Sequence, residues 1–249
     1  MANSYYAGPM EVSPDLSLNP RADVKIRVLG HERQPLVVID HALSAPGDMV
    51  ALAAHAPFRA PQTLYPGRHA PSPPIYTQNL SRVLRPLLDQ VFGIPADIAL
   101  RASSFFALAQ ASPVDLQPVQ KVPHHDSNNP FMIAMVHYLC HDRPDAPQGG
   151  TAFFRHAATG HEYIDEARFS AYEAAMRAEL QVLPPTGYAG PHSAHYEMID
   201  SVDCVYNRLI LYRSTSLHSG LLEASTLTDD PLSGRLTLNT LIEPAPKPA

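Results

Sequence analysis

Proline occurs 26 times in this chain and glycine only 12 times, which limits what it can fold into. Proline lacks an amide hydrogen and has a fixed φ, so it breaks helix interiors and is kept to loops, turns and sheet edges. That usage disfavours a helical bundle and favours many extended segments joined by fixed turns. The 249 residues, 45% of them hydrophobic, can bury one sizeable core. A β barrel or sandwich of this length fits one domain.

Charge and cysteine usage narrow the partners. Formal net charge is -6 and no run of Lys or Arg occurs, so there is no electrostatic footprint for nucleic acid or an anionic membrane. The first residues carry no basic region followed by an apolar stretch, and no run of 18 apolar residues is present. A soluble, cytoplasmic protein is expected, with no nucleic-acid and no membrane partner. Cys140 and Cys204 are far apart in sequence and form no C-x-x-C, so reduced thiols are expected rather than a disulfide framework or a zinc site.

Periodicity places the elements. Residues 1–22 are polar and aperiodic, which predicts a flexible N-terminal arm ahead of a single domain over 23–249. A strand over 35–40 leads into a helix over 44–55 with Ser44 as N-cap, and Leu80, Val83, Leu84, Leu87, Leu88 and Val91 predict a helix over 80–92. These elements, 35–98, are helical support, and the Pro-, Tyr- and His-rich 61–74 between them is expected to be a loop. Strands are expected over 99–110, 116–123, 131–140, 151–154, 196–201, 205–214 and 235–242, with a turn over 144–150 and an inserted helix over 162–180. The expectation is a mainly β (α+β) fold, a jelly roll with supporting helices and a core over 99–243.

Within that core, Val-Pro-His-His-Asp (122–126) carries His124 and Asp126 at i and i+2, and His218 ends the apolar run Leu209–Leu217. Side chains two apart on an extended strand face the same side. With His218 from a neighbouring strand they make two histidines and a carboxylate, a set that binds iron on one face and leaves the other open. By itself His-x-Asp is also ordinary turn chemistry. The order of elements makes it specific: strand, His-x-Asp, apolar strand with Tyr138-Leu139, Gly149-Gly150-Thr151, insert, His218-Ser-Gly, then Gly234-Arg235-Leu-Thr237.

This order resembles the Fe(II)/2-oxoglutarate-dependent dioxygenase superfamily, in its prolyl-hydroxylase-like branch, over residues 99–243. The resemblance implies a double-stranded β-helix (jelly roll, cupin-like) and iron ligands His124, Asp126 and His218. It also implies Arg235 as anchor of the distal carboxylate of 2-oxoglutarate, with Thr237 and Tyr138 beside it. Fe(II), 2-oxoglutarate and O2 are the implied cofactors, and hydroxylation of a C–H bond in an amino acid, a peptidyl side chain or a small metabolite is the implied reaction.

The chain departs from that pattern in two intervals. Arg235 follows His218 by 17 residues, which makes Arg213 a rival anchor, and 92 residues separate Asp126 from His218, which makes His192 and His195 rival ligands. Two other functions use the same barrel: a cupin-like metal enzyme without 2-oxoglutarate, or a non-catalytic binding protein. His125 should point away from the ligands, and His137 and His141 suit structural roles. The inserted helix can cover the barrel or form a homodimer contact.

Overall fold

The structure is a computed structural model that describes residues 13–141, 148–222 and 227–245. Strands β1 (Asp23–Leu29) and β2 (Gln34–Asp40) form a hairpin, followed by helix α1 (Pro46–Ala54), strand β3 (Gly67–Pro71) and helix α2 (Pro74–Gln90). Strands β4 (Leu100–Ala109), β5 (Ile133–Tyr138) and β6 (Thr151–His156) precede helix α3 (Glu166–Val182). The chain closes with β7 (Tyr196–Val202), β8 (Arg208–Arg213), β9 (His218–Gly220) and β10 (Arg235–Pro244).

These strands make two antiparallel sheets, a seven-stranded one in the order β1-β2-β8-β5-β10-β4-β3 and a three-stranded one in the order β7-β6-β9. A mutual pair of backbone hydrogen bonds between His124 and His218, 2.9 and 2.8 Å, adds the His124 segment to the free edge of β9. From β4 onward the chain therefore alternates between the sheets: β4, the His124 segment, β5, then β6 and β7 together, β8, β9 and β10.

The sheets face each other. The Tyr138 hydroxyl of the larger sheet donates to Thr151 Oγ1 of the smaller at 2.7 Å, and the Phe153 ring meets Tyr212 edge-on with centroids 5.1 Å apart. Strand alternation then sorts β10 into two faces. Leu238 lies opposite His137, whose Nδ1 meets the Tyr76 hydroxyl of α2, so Leu236 and Leu238 face the helices. Arg235, Thr237 and Asn239 face the smaller sheet; Thr237 lies opposite Tyr138. The far side of the smaller sheet, with Ala152, Phe154 and Leu217, is covered by Phe169, Tyr172, Met176 and Leu180 of α3.

The mostly β expectation agrees with this architecture, and the inserted helix covers a sheet. Four local expectations differ. The strand expected over 116–123 is two 3₁₀ turns, Pro113–Asp115 and Pro118–Lys121, each opened by a proline whose fixed φ suits a helical first turn. The loop expected over 61–74 contains β3, which takes its extended form from pairing with β4. Helix α2 begins at Pro74, since proline is tolerated in a first turn, and keeps Pro86 inside it. Ser44 is not the N-cap of α1; Ala45 holds that position without a side-chain bond. In the stretch expected to be an arm, Leu16 is buried and Leu18 bridges Leu43, while residues 1–12 lie outside the described residues. The expected turn over 144–150 lies partly outside them as well. Among the described residues no helix is long and apolar enough to cross a membrane.

Candidate metal centre and carboxylate cradle

His124 and Asp126 are fixed by backbone bonds to β9, which carries the third member, and to the turn that leads into it. His124 pairs with His218, and the Asp126 amide donates to the Ser214 carbonyl at 2.8 Å. His124 Nε2 stands 3.7 Å from Asp126 Oδ1, and His218 Nε2 stands 3.6 Å from Asp126 Oδ2. One donor atom of each residue lies within 4.8 Å of the others, and among the described residues no other group of three acidic, His or Cys side chains meets that condition. Adjacent ligands on an ion at about 2.1 Å stand roughly 3.0–3.4 Å apart, so small side-chain shifts close this set on a metal.

Second partners prepare the ligands. The Nδ1–H of His218 donates to the Ser216 carbonyl at 2.9 Å, the only role that acceptor allows, and this leaves the Nε2 lone pair toward Asp126. Tyr212 packs against the same imidazole with centroids 4.7 Å apart, and Phe153 packs against Tyr212. The His218 side chain is 7% exposed, whereas that of His124 is 55% exposed and opens one side of the centre to solvent. Desolvation, with His218 alongside, lowers the His124 pKa to about 4 against the opposing charge of Asp126. The lowered pKa leaves a neutral imidazole near neutral pH, the form that binds metal.

A second cluster lies further along β9. Gly220 follows His218 by two residues on the same face, and a Cβ there would stand 3.5 Å from Arg235 Nη2. The guanidinium is therefore about 7 Å along the strand from the histidine position. Arg235 is buried; its Nε donates to the Gly149 carbonyl at 3.2 Å and its Nη2 to the Gly150 carbonyl at 3.1 Å. A guanidinium has five N–H donors, so others are left to point into the interior. Gly149 sits at φ +63, and a Cβ on Gly150 would meet the Val202 carbonyl at 1.8 Å, so this turn needs glycine at both positions.

The other expected members of this cluster differ in availability. Thr237 is buried beside Arg235, and its hydroxyl has a long 3.5 Å contact with the Ala107 carbonyl and lies near the Tyr65 hydroxyl. The Tyr138 ring lies 5.9 Å from the guanidinium carbon, but its hydroxyl is engaged by Thr151. Of the rivals, Arg213 turns outward and donates to the Phe92 carbonyl at 2.8 Å, and His195 bonds the Leu183 carbonyl at 3.1 Å. His192 lines a separate pocket with His195. His125 faces away from the ligands, edge-on to Phe169 and Tyr172 of α3.

Two features near Arg235 are not visible in the sequence. The Tyr65 hydroxyl is buried without a hydrogen-bond partner, and the sulfurs of Cys140 and Cys204 come to 3.2 Å. A pattern search finds neither, because each depends on contacts between distant segments.

The profile of one family, described as a family of unknown function (DUF6445), matches residues 20–242. The chain belongs to that family. No curated protein matches it. Among solved structures it is similar to the non-heme alpha ketoglutarate dependent epimerase SnoN from nogalamycin biosynthesis, at 14% identity and TM-score 0.48 over 86% of this chain and 80% of that one. It is also similar to HygX from Streptomyces hygroscopicus with nickel and 2-oxoglutarate bound, at 12% identity and TM-score 0.46 over 84% and 83%. A Pseudomonas putida prolyl-4-hydroxylase shows 14% identity and TM-score 0.42 over 85% and 93%. Likenesses at this level do not decide the chemistry, and the side chains must.

Proposed function

We propose that this protein is an Fe(II)- and 2-oxoglutarate-dependent oxygenase that hydroxylates a C–H bond of an amino acid, a peptidyl side chain or a small metabolite. One observation carries the reading: two histidines and a carboxylate converge on one face of the smaller sheet, and a buried arginine stands one strand repeat further along that face. We read the alternation of the chain between sheets from β4 to β10 as the strand order of a double-stranded β-helix, and it supports the same reading.

The residues suit the two groups. His124, His218 and Asp126 would hold a divalent iron, and nitrogen and carboxylate donors in a two-to-one ratio match that ion. Arg235 would grip the distal carboxylate of 2-oxoglutarate, for which a planar fork of charge-assisted donors is well shaped, and Thr237 can turn its hydroxyl to the same group. Gly220, lacking a side chain, lets the Arg235 guanidinium lie close against β9. When bound, iron and 2-oxoglutarate supply the oxidising chemistry with O2. The protein contributes position and dryness: Phe153, Tyr212 and Tyr138 wall the interior, and the exposed edge of His124 marks the side from which a substrate approaches.

Anaerobic addition of Fe(II) and 2-oxoglutarate tests the reading through the weak visible charge-transfer band of the chelate. The band is expected in wild type, absent in His218→Ala, and shifted to much higher 2-oxoglutarate concentration in Arg235→Ala. No band in metal-loaded wild type returns the weight to a cupin-like enzyme without 2-oxoglutarate or to a non-catalytic protein.

A further inference from the structure

We infer that Tyr65, from the segment leading into β3, is a carboxylate-binding residue of the cradle and provides the phenolic donor that Tyr138 cannot. The inference rests on the 2-oxoglutarate reading above and extends it to a residue outside the jelly-roll core.

Small residues on β4 make room for this reach. Ala109 lies directly opposite Arg235, and Ala107 directly opposite Thr237, so both alanines share the inner face with the cradle. Both are fully buried, and neither side chain extends past Cβ. The next strand continues the rows, with Gly67 opposite Ala109 and His69 opposite Ala107. Tyr65 packs into the cluster formed by Ala109, Leu116, Tyr188 and Leu222, and its ring is tilted against that of His69 with centroids 4.6 Å apart. The ring therefore packs beside Ala109, and its hydroxyl comes close enough to Arg235 and Thr237 for both to act on its ionisation.

Two further contacts hold it there. A Cβ on Gly67 would lie 2.9 Å from Tyr65 Cε1 and 2.0 Å from the Leu108 carbonyl, so glycine is needed for this close approach. Leu222, part of the same cluster, is also 3.3 Å from the Cβ position of Gly220, and Arg235 Nη2 is 3.5 Å from it. The cluster and the guanidinium thus meet at Gly220, where the lack of a side chain lets both approach β9.

The hydroxyl makes no well-formed hydrogen bond although its oxygen is buried, and the Thr237 hydroxyl stands beside it. Such a group is rare in a folded protein and calls for a cause, and a ligand oxygen supplies one. Burial raises its pKa to about 12, with the charge of Arg235 and the nearby Thr237 hydroxyl opposing that shift, so near neutral pH the group is a protonated donor. The Tyr138 hydroxyl, by contrast, is already bonded at 2.7 Å within the protein.

Calorimetric titration of nickel-loaded protein tests the assignment with two ligands, 2-oxoglutarate and 2-oxovalerate, which has a methyl group in place of the distal carboxylate. Tyr65→Phe is expected to weaken 2-oxoglutarate by about tenfold or more, the loss of one hydrogen bond to a charged group. Its affinities for nickel and 2-oxovalerate should match wild type, and its melting temperature should not fall, since the hydroxyl removed makes no well-formed hydrogen bond within the protein. Wild-type 2-oxoglutarate affinity in Tyr65→Phe, alongside weakened binding in Arg235→Ala, overturns the role of Tyr65 and leaves the co-substrate reading standing. An equal loss for both ligands, or a lower melting temperature, makes Tyr65 structural. Failure of wild type to bind 2-oxoglutarate at all overturns the co-substrate reading and the inference with it.

Discussion

The two faces of the larger sheet are built from the same strands but differ in how their polar groups are satisfied. On the outer face, under α2, His137 is fully buried with both ring nitrogens bonded, Nδ1 to the Tyr76 hydroxyl at 3.0 Å and Nε2 to Asn207 Oδ1 at 3.1 Å. On the inner face, Asn239 Oδ1, His69 Nε2 and Tyr65 Oη are all buried without partners. A folded chain seldom leaves such atoms unpaired unless something else pairs with them. On the proposed reading the outer face serves stability and the inner face serves a ligand, so substitutions on the two should separate cleanly into losses of folding and losses of binding.

The strongest break with that pattern would come from the metal centre. His124→Ala removes a proposed ligand whose side chain is more than half exposed and bonds no other side chain strongly. Metal affinity, read by competition with a chelator, is expected to fall more than about a hundredfold, beyond the cost of losing a supporting partner. Stability of the metal-free protein should stay within about 0.5 kcal/mol of wild type, as for surface positions generally. A large stability loss would show that the triad also holds the sheets together.

The outer face should give the opposite result. Leu238→Ala deletes a fully buried side chain on that face and is expected to cost about 3 kcal/mol in denaturant unfolding. Affinity of the folded protein for nickel and 2-oxoglutarate should be unchanged. A fall in affinity would mean that packing under α2 sets the geometry of the cradle.

His137 adds a pH dependence to the same face. Desolvation lowers its pKa to about 4, against about 6.5 in the unfolded chain, so folding favours the neutral ring. The stability it contributes is complete above about pH 6.5 and is lost as pH falls toward 4, because the unfolded chain binds the proton more readily. The whole effect is on the order of 3 kcal/mol by pH 4. Comparing unfolding of wild type and His137→Gln between pH 7 and 4 measures it: the gap between them should narrow on acidification, and a constant gap would remove the histidine as the cause.

Much of the inner face is legible in the amino-acid sequence, for a physical reason. His124 and Asp126 take extended spacing at an isolated bridge to His218, which the i, i+2 pattern anticipates, and His218 and Arg235 follow from the order of elements. Helix α2 is marked by its apolar spacing, although its start is displaced by the prolines of its first turn. What escapes are features that depend on a partner. β3 has no hydrophobic alternation in Gly-Arg-His-Ala-Pro and is extended because β4 pairs with it. The closeness of Cys140 to Cys204 and the reach of Tyr65 across Ala107 and Ala109 depend equally on contacts that no local pattern encodes.

Tyr138 is the sharpest test, because position and satisfaction disagree there. It lies on the inner face opposite Thr237, where the family resemblance places a co-substrate contact, yet its hydroxyl is bonded to Thr151. If satisfaction is the better guide, Tyr138→Phe loses about 1 kcal/mol of stability, the net worth of one buried hydrogen bond, since Thr151 is left without this partner. Its 2-oxoglutarate affinity should then stay within about twofold of wild type, the reverse of the outcome expected for Tyr65→Phe. A tenfold weakening in Tyr138→Phe would mean that the hydroxyl leaves Thr151 for the carboxylate when the ligand arrives. In that event an internal bond would be no sign that a group is idle, and the contrast between the two faces would hold only for the ligand-free protein.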